Sequence, residues 1–186
     1  MIGADGKVRC DWAGSAPDYL AYHDDEWGRP IRSDNAIFER LTLEAFQSGL
    51  SWLTILRKRQ AFRAAFANFD IATVAAFDEA DQTRLLSDVG IVRNRAKVAA
   101  AISNARAALA VERGLASLIW GFAPEKREAP STTSDVPAQT AESRALANEL
   151  KKRGFVFVGP ITAYALMQAA GLVNDHVRDC WTRRSM

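Results

Sequence analysis

Two thiols and two imidazoles are all the cysteine and histidine that this 186-residue chain contains. They fall into two pairs at opposite ends. CDWAGSAPDYLAYH runs from Cys10 to His23, and GLVNDHVRDC holds His176 and closes on Cys180. Histidine and cysteine four positions apart share a face if the second segment is helical. Two thiolates and two imidazoles form the tetrahedral donor set of a structural zinc site, since both bind zinc well and zinc brings no redox chemistry. A metal joining residues 10 and 180 would close almost the whole chain and hold down two ends that otherwise fray. Asp24 and Asp175, each beside a histidine, are candidate acceptors behind the ligands. Against this, neither pair is C-x-x-C and the pairs lie far beyond finger spacing, so on spacing alone inert buried residues are the preferred reading. A Cys10–Cys180 disulfide is disfavoured in a reducing compartment.

A second chemistry-bearing group overlaps the first pair. CDWAGSAPDYLAYHDDEWG gathers Trp12, Tyr19, Tyr22 and Trp27, with the two tyrosines three apart on a short helix. On the next helix Ile37, Leu41 and Glu44 share a face, which sets a carboxylate on an apolar stripe. A buried acid is costly unless it is paired, so an ordinary ion pair competes with a functional role. QSGLSW then puts Gln47, Gly49, Leu50 and Trp52 in a turn between two helices. Aromatic faces with one carboxylate suit a flat, electron-poor or cationic ring, through stacking, cation–π attraction and hydrogen bonds from ring-edge amino groups.

The elements that must position these groups read as helices. Ser33-Asp34 offers an N-cap for a helix over 34–48 that Gly49 ends. SWLTILRKRQAFRAAFANF follows, Asp70 caps IATVAAF, and DEADQTRLLSDVG stops at Gly90. Over 93–113, Val98, Ile102, Ala105 and Leu109 recur at helical spacing and form a core stripe. APEKREAPSTTSDVPAQTA is too polar to pack and reads as a long surface connection. ESRALANELKKRG is helical, FVFVG is a short extended lead, and PITAYALMQAAG is apolar nearly all round, a buried helix with Pro160 in its first turn. The fold class is therefore all-α.

A chain of this length fits one domain, since domains run roughly 100–200 residues, and it can bury a core without staples. No apolar run approaches the ~20 residues of a membrane span, and the N-terminal MIGADGKVRC lacks the apolar core of a signal peptide, so the expected compartment is the cytoplasm. A net charge of +2 proves nothing about a polyanionic partner. RKRQAFR and VRNRAKVAAAISNAR collect cations, but a solvated helix face is the simpler account of each run.

Four blocks, CDWAGSAPDYLAYHDDEWGRP, LTLEAFQSGLSWLTILRKRQAFRAAF, DVGIVRNRAKVAAAISNA and KKRGFVFVGPITAYALMQAAGLVNDHVRDC, together resemble the 3-methyladenine DNA glycosylase I family over nearly the whole chain. The resemblance implies a helix-hairpin-helix base-excision enzyme that releases N3-methyladenine from alkylated double-stranded DNA. It also implies a structural zinc on Cys10, His23, His176 and Cys180. By the same carry-over, Glu44 and Tyr22 hydrogen-bond the flipped base, Trp52 and Trp12 stack on it, and Tyr19 and Trp27 line the pocket. Leu50, with Gly49 and Gln47, fills the gap left in the duplex. The hairpin is placed near 81–106, with backbone N–H groups by Gly90 at phosphate, helped by Arg93, Arg95 or Lys97. The organisation implied is a helical core over 30–122, with 1–29 and 140–186 forming a zinc-clasped terminal subdomain of a monomer. The aspartate common in the wider superfamily has no clear place here, and no lysine stands out as a Schiff-base nucleophile. Two rival readings are a zinc-stabilised DNA-binding module without catalysis and the same fold turned to another base.

Overall fold

The computed structural model describes residues 1–125 and 127–185, without the side chains of residues 184 and 185. Among these residues the architecture is helical throughout, save one isolated antiparallel bridge between Ile2 and Val8. The helices are α1 (Pro17–Asp25), α2 (Asp34–Gln47), α3 (Trp52–Ala65), α4 (Ile71–Ala75), α5 (Glu79–Ser87), α6 (Arg95–Leu109), α7 (Leu115–Trp120), α8 (Ala141–Lys152) and α9 (Pro160–Ala169). No helix is long and apolar enough to cross a membrane.

Helix α2 is the axis of the molecule. It packs on α3, α6, α7 and α9, and from Ile37 to Phe46 nearly every turn carries buried residues. Phe46 meets Phe62 edge-on at 4.8 Å, and Phe66 and Phe69 extend the ring cluster. Such ring pairs contribute about 1 kcal/mol each beyond the area that they bury. A helix buried on several sides puts any polar side chain it carries at a premium, and Arg40 and Glu44 are both buried on it.

Several local expectations are met and some are not. Asp70 caps α4 through the Thr73 N–H at 2.9 Å. Ser33 stands at the N-cap of α2 but makes no side-chain cap bond. Its neighbour Asp34 instead accepts the Ala116 N–H at 2.7 Å and so caps the start of α7. The 93–113 stretch breaks after Leu109, and α7 forms as a separate short helix. FVFVG makes no strand. Asn104 of α6 holds both backbone groups of Val156, at 2.8 and 3.0 Å, and Phe157 turns through φ 59°.

The basic run at 57–63 is a partly solvated face, exposed at Arg57 and Gln60, whose cations are engaged within the protein. Arg57 pairs with Asp18, Arg59 with Glu26 and Arg63 with Glu39, while Lys58 donates to the Val89 and Gly90 carbonyls. The connection over 123–141 also does more than cover the surface. It makes a 3-10 turn at Thr133–Asp135, and its apolar Val136, Pro137 and Ala138 join Thr133 in lining a cavity described below. Three apolar residues in a row were the packing signal within an otherwise polar stretch.

Candidate active site

The chain ends meet. Residues 10–14 and α1 bring in Cys10 and His23, and the loop after α9 brings in His176 and Cys180. The ligand atoms of Cys10, His23 and Cys180 all lie within 4.8 Å of one another, and Cys180 Sγ is 3.5 Å from His23 Nε2. The His176 ring lies 4.9 Å from that of His23, nearly perpendicular to it. All four residues are buried, and both cysteines are free thiols. The Cys180 thiol is lowered by its hydrogen bond with Cys10 and the nearby His23, while that same bond and burial raise Cys10. Burial, aided by repulsion from His23, pushes His176 down to about 4, which keeps its imidazole neutral.

Each ring has its orientation fixed from behind. His23 Nδ1 is 2.8 Å from Asp24 Oδ1, and Arg9 grips Asp24 in turn. His176 Nδ1 is 3.0 Å from Asn174 Oδ1, so the acceptor behind this ring is Asn174 and not Asp175. Asp175 turns the other way, accepting from Tyr164 Oη at 2.6 Å and Gln168 Nε2 at 2.9 Å. His176 Nε2 is buried and has no hydrogen-bond partner among the described residues.

Beside this cluster opens a cavity of about 430 Å³. Trp12, Tyr19, Tyr22, Trp27, Glu44, Gln47 and Trp52 all line it, so the predicted pocket residues converge. Tyr22 tilts against Trp52 at 5.4 Å, and Trp12 meets Trp27 edge-on at 5.1 Å. The Tyr19 hydroxyl accepts the Leu53 N–H at 2.9 Å, which fixes α1 on the start of α3. Glu44 is buried among them, and its carboxyl makes no hydrogen bond among the described residues. Burial pushes its pKa up to about 8, only partly offset by the Arg40 guanidinium. Arg40 itself is drawn to Glu26 at 2.7 Å, where Arg59 also binds. Burial works against ionisation of Glu26, but the two guanidinium groups hold it down to about 2. Glu26 thus balances the arginines and leaves Glu44 unpaired.

Leu50 projects from the α2–α3 turn with 41 % of its surface exposed, beside Gly49 at φ +81°. A side chain there would be strained, so glycine fits. The hairpin residues divide. Arg93 and Arg95 are exposed, but the Gly90 N–H is bonded to Asp88 Oδ1 at 2.7 Å, and a Cβ at Gly90 would come within 2.9 Å of Ala61. Gly90 therefore serves close packing, and its N–H is not open to phosphate. Lys97 is also withdrawn: its ammonium donates to the Phe46 and Ser48 carbonyls at 2.8 and 2.6 Å. A helix-face count cannot show which way so long a side chain turns.

The cavity wall holds residues that the sequence did not reveal. Tyr164, Gln168 and Asp175 form one hydrogen-bonded side, with Ile161 nearby. Tyr164 and Gln168 are four apart on α9, and that polar pair was the available signal within a helix that reads as uniformly apolar.

The fold agrees with the comparison to known proteins. The chain belongs to the methyladenine glycosylase family, whose model matches residues 12–184. It is 47% identical over 178 residues to DNA-3-methyladenine glycosylase 1 of Escherichia coli (strain K12), covering 92% of this chain and 95% of that protein. A crystal structure of 3-methyladenine DNA glycosylase I superposes with a TM-score of 0.89 at 46% identity, over 94% of this chain and 98% of the other. The Staphylococcus aureus 3-methyladenine DNA glycosylase I, whose structure concerns 3-methyladenine recognition, gives a TM-score of 0.89 at 34% identity, over 94% and 95% of the two chains.

Proposed function

We propose that this chain is a monofunctional DNA glycosylase, which flips N3-methyladenine out of alkylated double-stranded DNA and hydrolyses its N-glycosidic bond. The observation that carries this reading is a buried, unpaired Glu44 in a cavity walled by Trp12, Tyr22 and Trp52. Family membership and the names of the relatives support it.

An adenine methylated at N3 is already a cation, so it leaves as a neutral base and needs no strong general acid. Selectivity then comes from recognising charge. Trp52 and Trp12 stack on the ring, Tyr22 and Glu44 hydrogen-bond its edge, and Tyr19 and Trp27 complete the walls. A neutral adenine gains less from both the rings and the acid. Glu44 is protonated in the free enzyme near neutral pH, and the arriving cation favours its carboxylate form. Extrusion of a base costs a few kcal/mol, which Leu50, supported by Gly49 and Gln47, offsets by filling the gap in the duplex. Among the described residues no lysine lines the cavity, in keeping with hydrolysis without strand cleavage.

Cys10, His23, His176 and Cys180 would hold one zinc ion. The donor set suits it, and the buried, partnerless Nε2 of His176 is the observation that most favours a ligand there. Zinc with four protein donors has no position for water, so it supplies structure and not chemistry. In this reading residues 1–29 and 140–186 form a terminal subdomain clasped by the metal around the 30–122 core. A helix-hairpin-helix element and exposed Arg93 and Arg95 meet the DNA backbone, and the enzyme works as a monomer in the cytoplasm.

Chromatography of bases released from methylated duplex DNA tests the reading. Free 3-methyladenine with intact strands is expected, and DNA binding without release would leave only a binding module.

A further inference from the structure

Lys97 is a cation inside the protein with no carboxylate to meet it. It is 8% exposed, it forms no ion pair among the described residues, and burial lowers its pKa. Its Nζ donates to the Phe46 carbonyl at 2.8 Å and the Ser48 carbonyl at 2.6 Å. Those carbonyls belong to the C-terminal end of α2, where backbone acceptors lack helical partners and the helix dipole is negative. An apolar side chain of similar length would fill the same space but leave those carbonyls without this donor. What the ammonium adds is a fixed position for the segment that it grips.

That segment sits between the parts of the base site. Glu44 and Gln47 precede it on α2, and Trp52 follows it at the start of α3. Within it, the Leu50 N–H donates to the Gln47 carbonyl at 2.6 Å, and Ser51 caps α3 through the Thr54 N–H. These bonds are local and shape the turn. Among the described residues, Lys97 supplies the one hydrogen bond that reaches residues 48–51 from outside α2 and α3. It thereby ties the exposed Leu50 to α6.

We propose that Lys97 is a positioning residue for duplex engagement: by gripping the Phe46 and Ser48 carbonyls it holds the 48–51 turn so that Leu50 enters the gap left by the flipped base. This rests on the reading of Leu50 as the gap-filling residue. Lys97 does not touch the base, so it acts on extrusion from the duplex and not on affinity for the free base.

The test uses the full, metal-loaded chain with Lys97→Met, Lys97→Arg, Leu50→Ala and the double variant Lys97→Met/Leu50→Ala. Two quantities are measured: single-turnover release of 3-methyladenine from methylated duplex DNA, and binding of free 3-methyladenine. Lys97→Met is expected to slow duplex release about tenfold, since loss of positioning remote from the chemistry is felt at the reacting centre. Free-base affinity stays within about twofold of the parent, and Lys97→Arg recovers most of the rate. In the double variant Lys97→Met adds nothing to the Leu50→Ala loss, because both act through one contact. A parallel loss of free-base affinity, or a Lys97→Met loss that persists in full without Leu50, overturns the proposal. Unchanged duplex release in Leu50→Ala overturns the gap-filling reading beneath it. Should Lys97→Met fail to fold, Lys97→Gln, polar but too short to hold both carbonyls, carries the same cycle.

Discussion

The Cys/His cluster and the Glu44 pocket touch each other, yet they settle their polar groups in opposite ways. In the cluster, Asp24 stands behind His23 and Asn174 behind His176, and Arg9 fixes Asp24 from a further layer. In the pocket, Glu44 has aromatic rings around it and no hydrogen bond among the described residues, while the nearby arginines are balanced by Glu26. Rings held from behind by fixed acceptors have the character of a scaffold. An acid left unpaired beside open rings is instead poised to respond, because its free energy would change if a cation arrived. The contact between them is intimate, with Trp12 5.2 Å from His23 and Trp27 4.6 Å from His176. The separation of roles is therefore energetic and not spatial.

Removing the acid should break the pocket alone. Glu44→Gln is expected to slow excision about a hundredfold, as loss of one preorganised electrostatic partner typically does. Excision by the parent, followed as kcat/KM, should rise with pH up to about 8 as Glu44 ionises, and the variant should lose that rise. Stability moves the other way. With an ordinary value of 4.5 unfolded and about 8 folded, the folded protein keeps the Glu44 proton longer. The parent therefore loses stability relative to the variant as pH climbs through that window, and the two converge below it. Denaturant midpoints that run parallel across the whole range would show that Glu44 is not so burdened.

Cys180→Ser should break the other half. A drop of roughly 10 °C in melting temperature is expected from loss of a structural metal ligand, with elemental analysis finding less zinc than the one ion per parent chain. Binding of free 3-methyladenine by the folded fraction should hold within about twofold. An equal fall in affinity would erase the distinction between scaffold and site. The smallest effects belong to the exposed Arg93 and Arg95. Each alanine variant should weaken duplex binding a few-fold and reduce the salt slope by about one, read by titration at several salt concentrations.

Residue type carried much of this molecule and side-chain direction carried little. Glu44 among Ile37 and Leu41 was visible as a misplaced acid on an apolar stripe, and burial made it the unpaired group of the pocket. The aromatic run from Trp12 to Trp27 likewise signalled a shared wall. Spacing left the Cys and His residues undecided, because meeting across 157 positions is a property of the whole fold. Lys97 and Gly90 were misread for a related reason. A lysine beside two arginines reads as a basic patch, yet its long stem allowed the ammonium to reach a neighbouring turn. Asp175 looked like a partner for the adjacent histidine, but the deciding donors, Tyr164 and Gln168, come from another element.

The pocket is built by two parts of the chain under very different constraint. Glu44 stands on a helix buried on several sides, where any change disturbs the core. Thr133, Val136, Pro137 and Ala138 close the same space from a connection that is tethered by the Arg178 N–H to Pro130 on one side and by the Thr140 cap on the other. Between those tethers Val136 packs on the core, while Thr133, Pro137 and Ala138 are exposed. Insertion, deletion or exchange in this wall would reshape the cavity while leaving the helix that carries Glu44 intact.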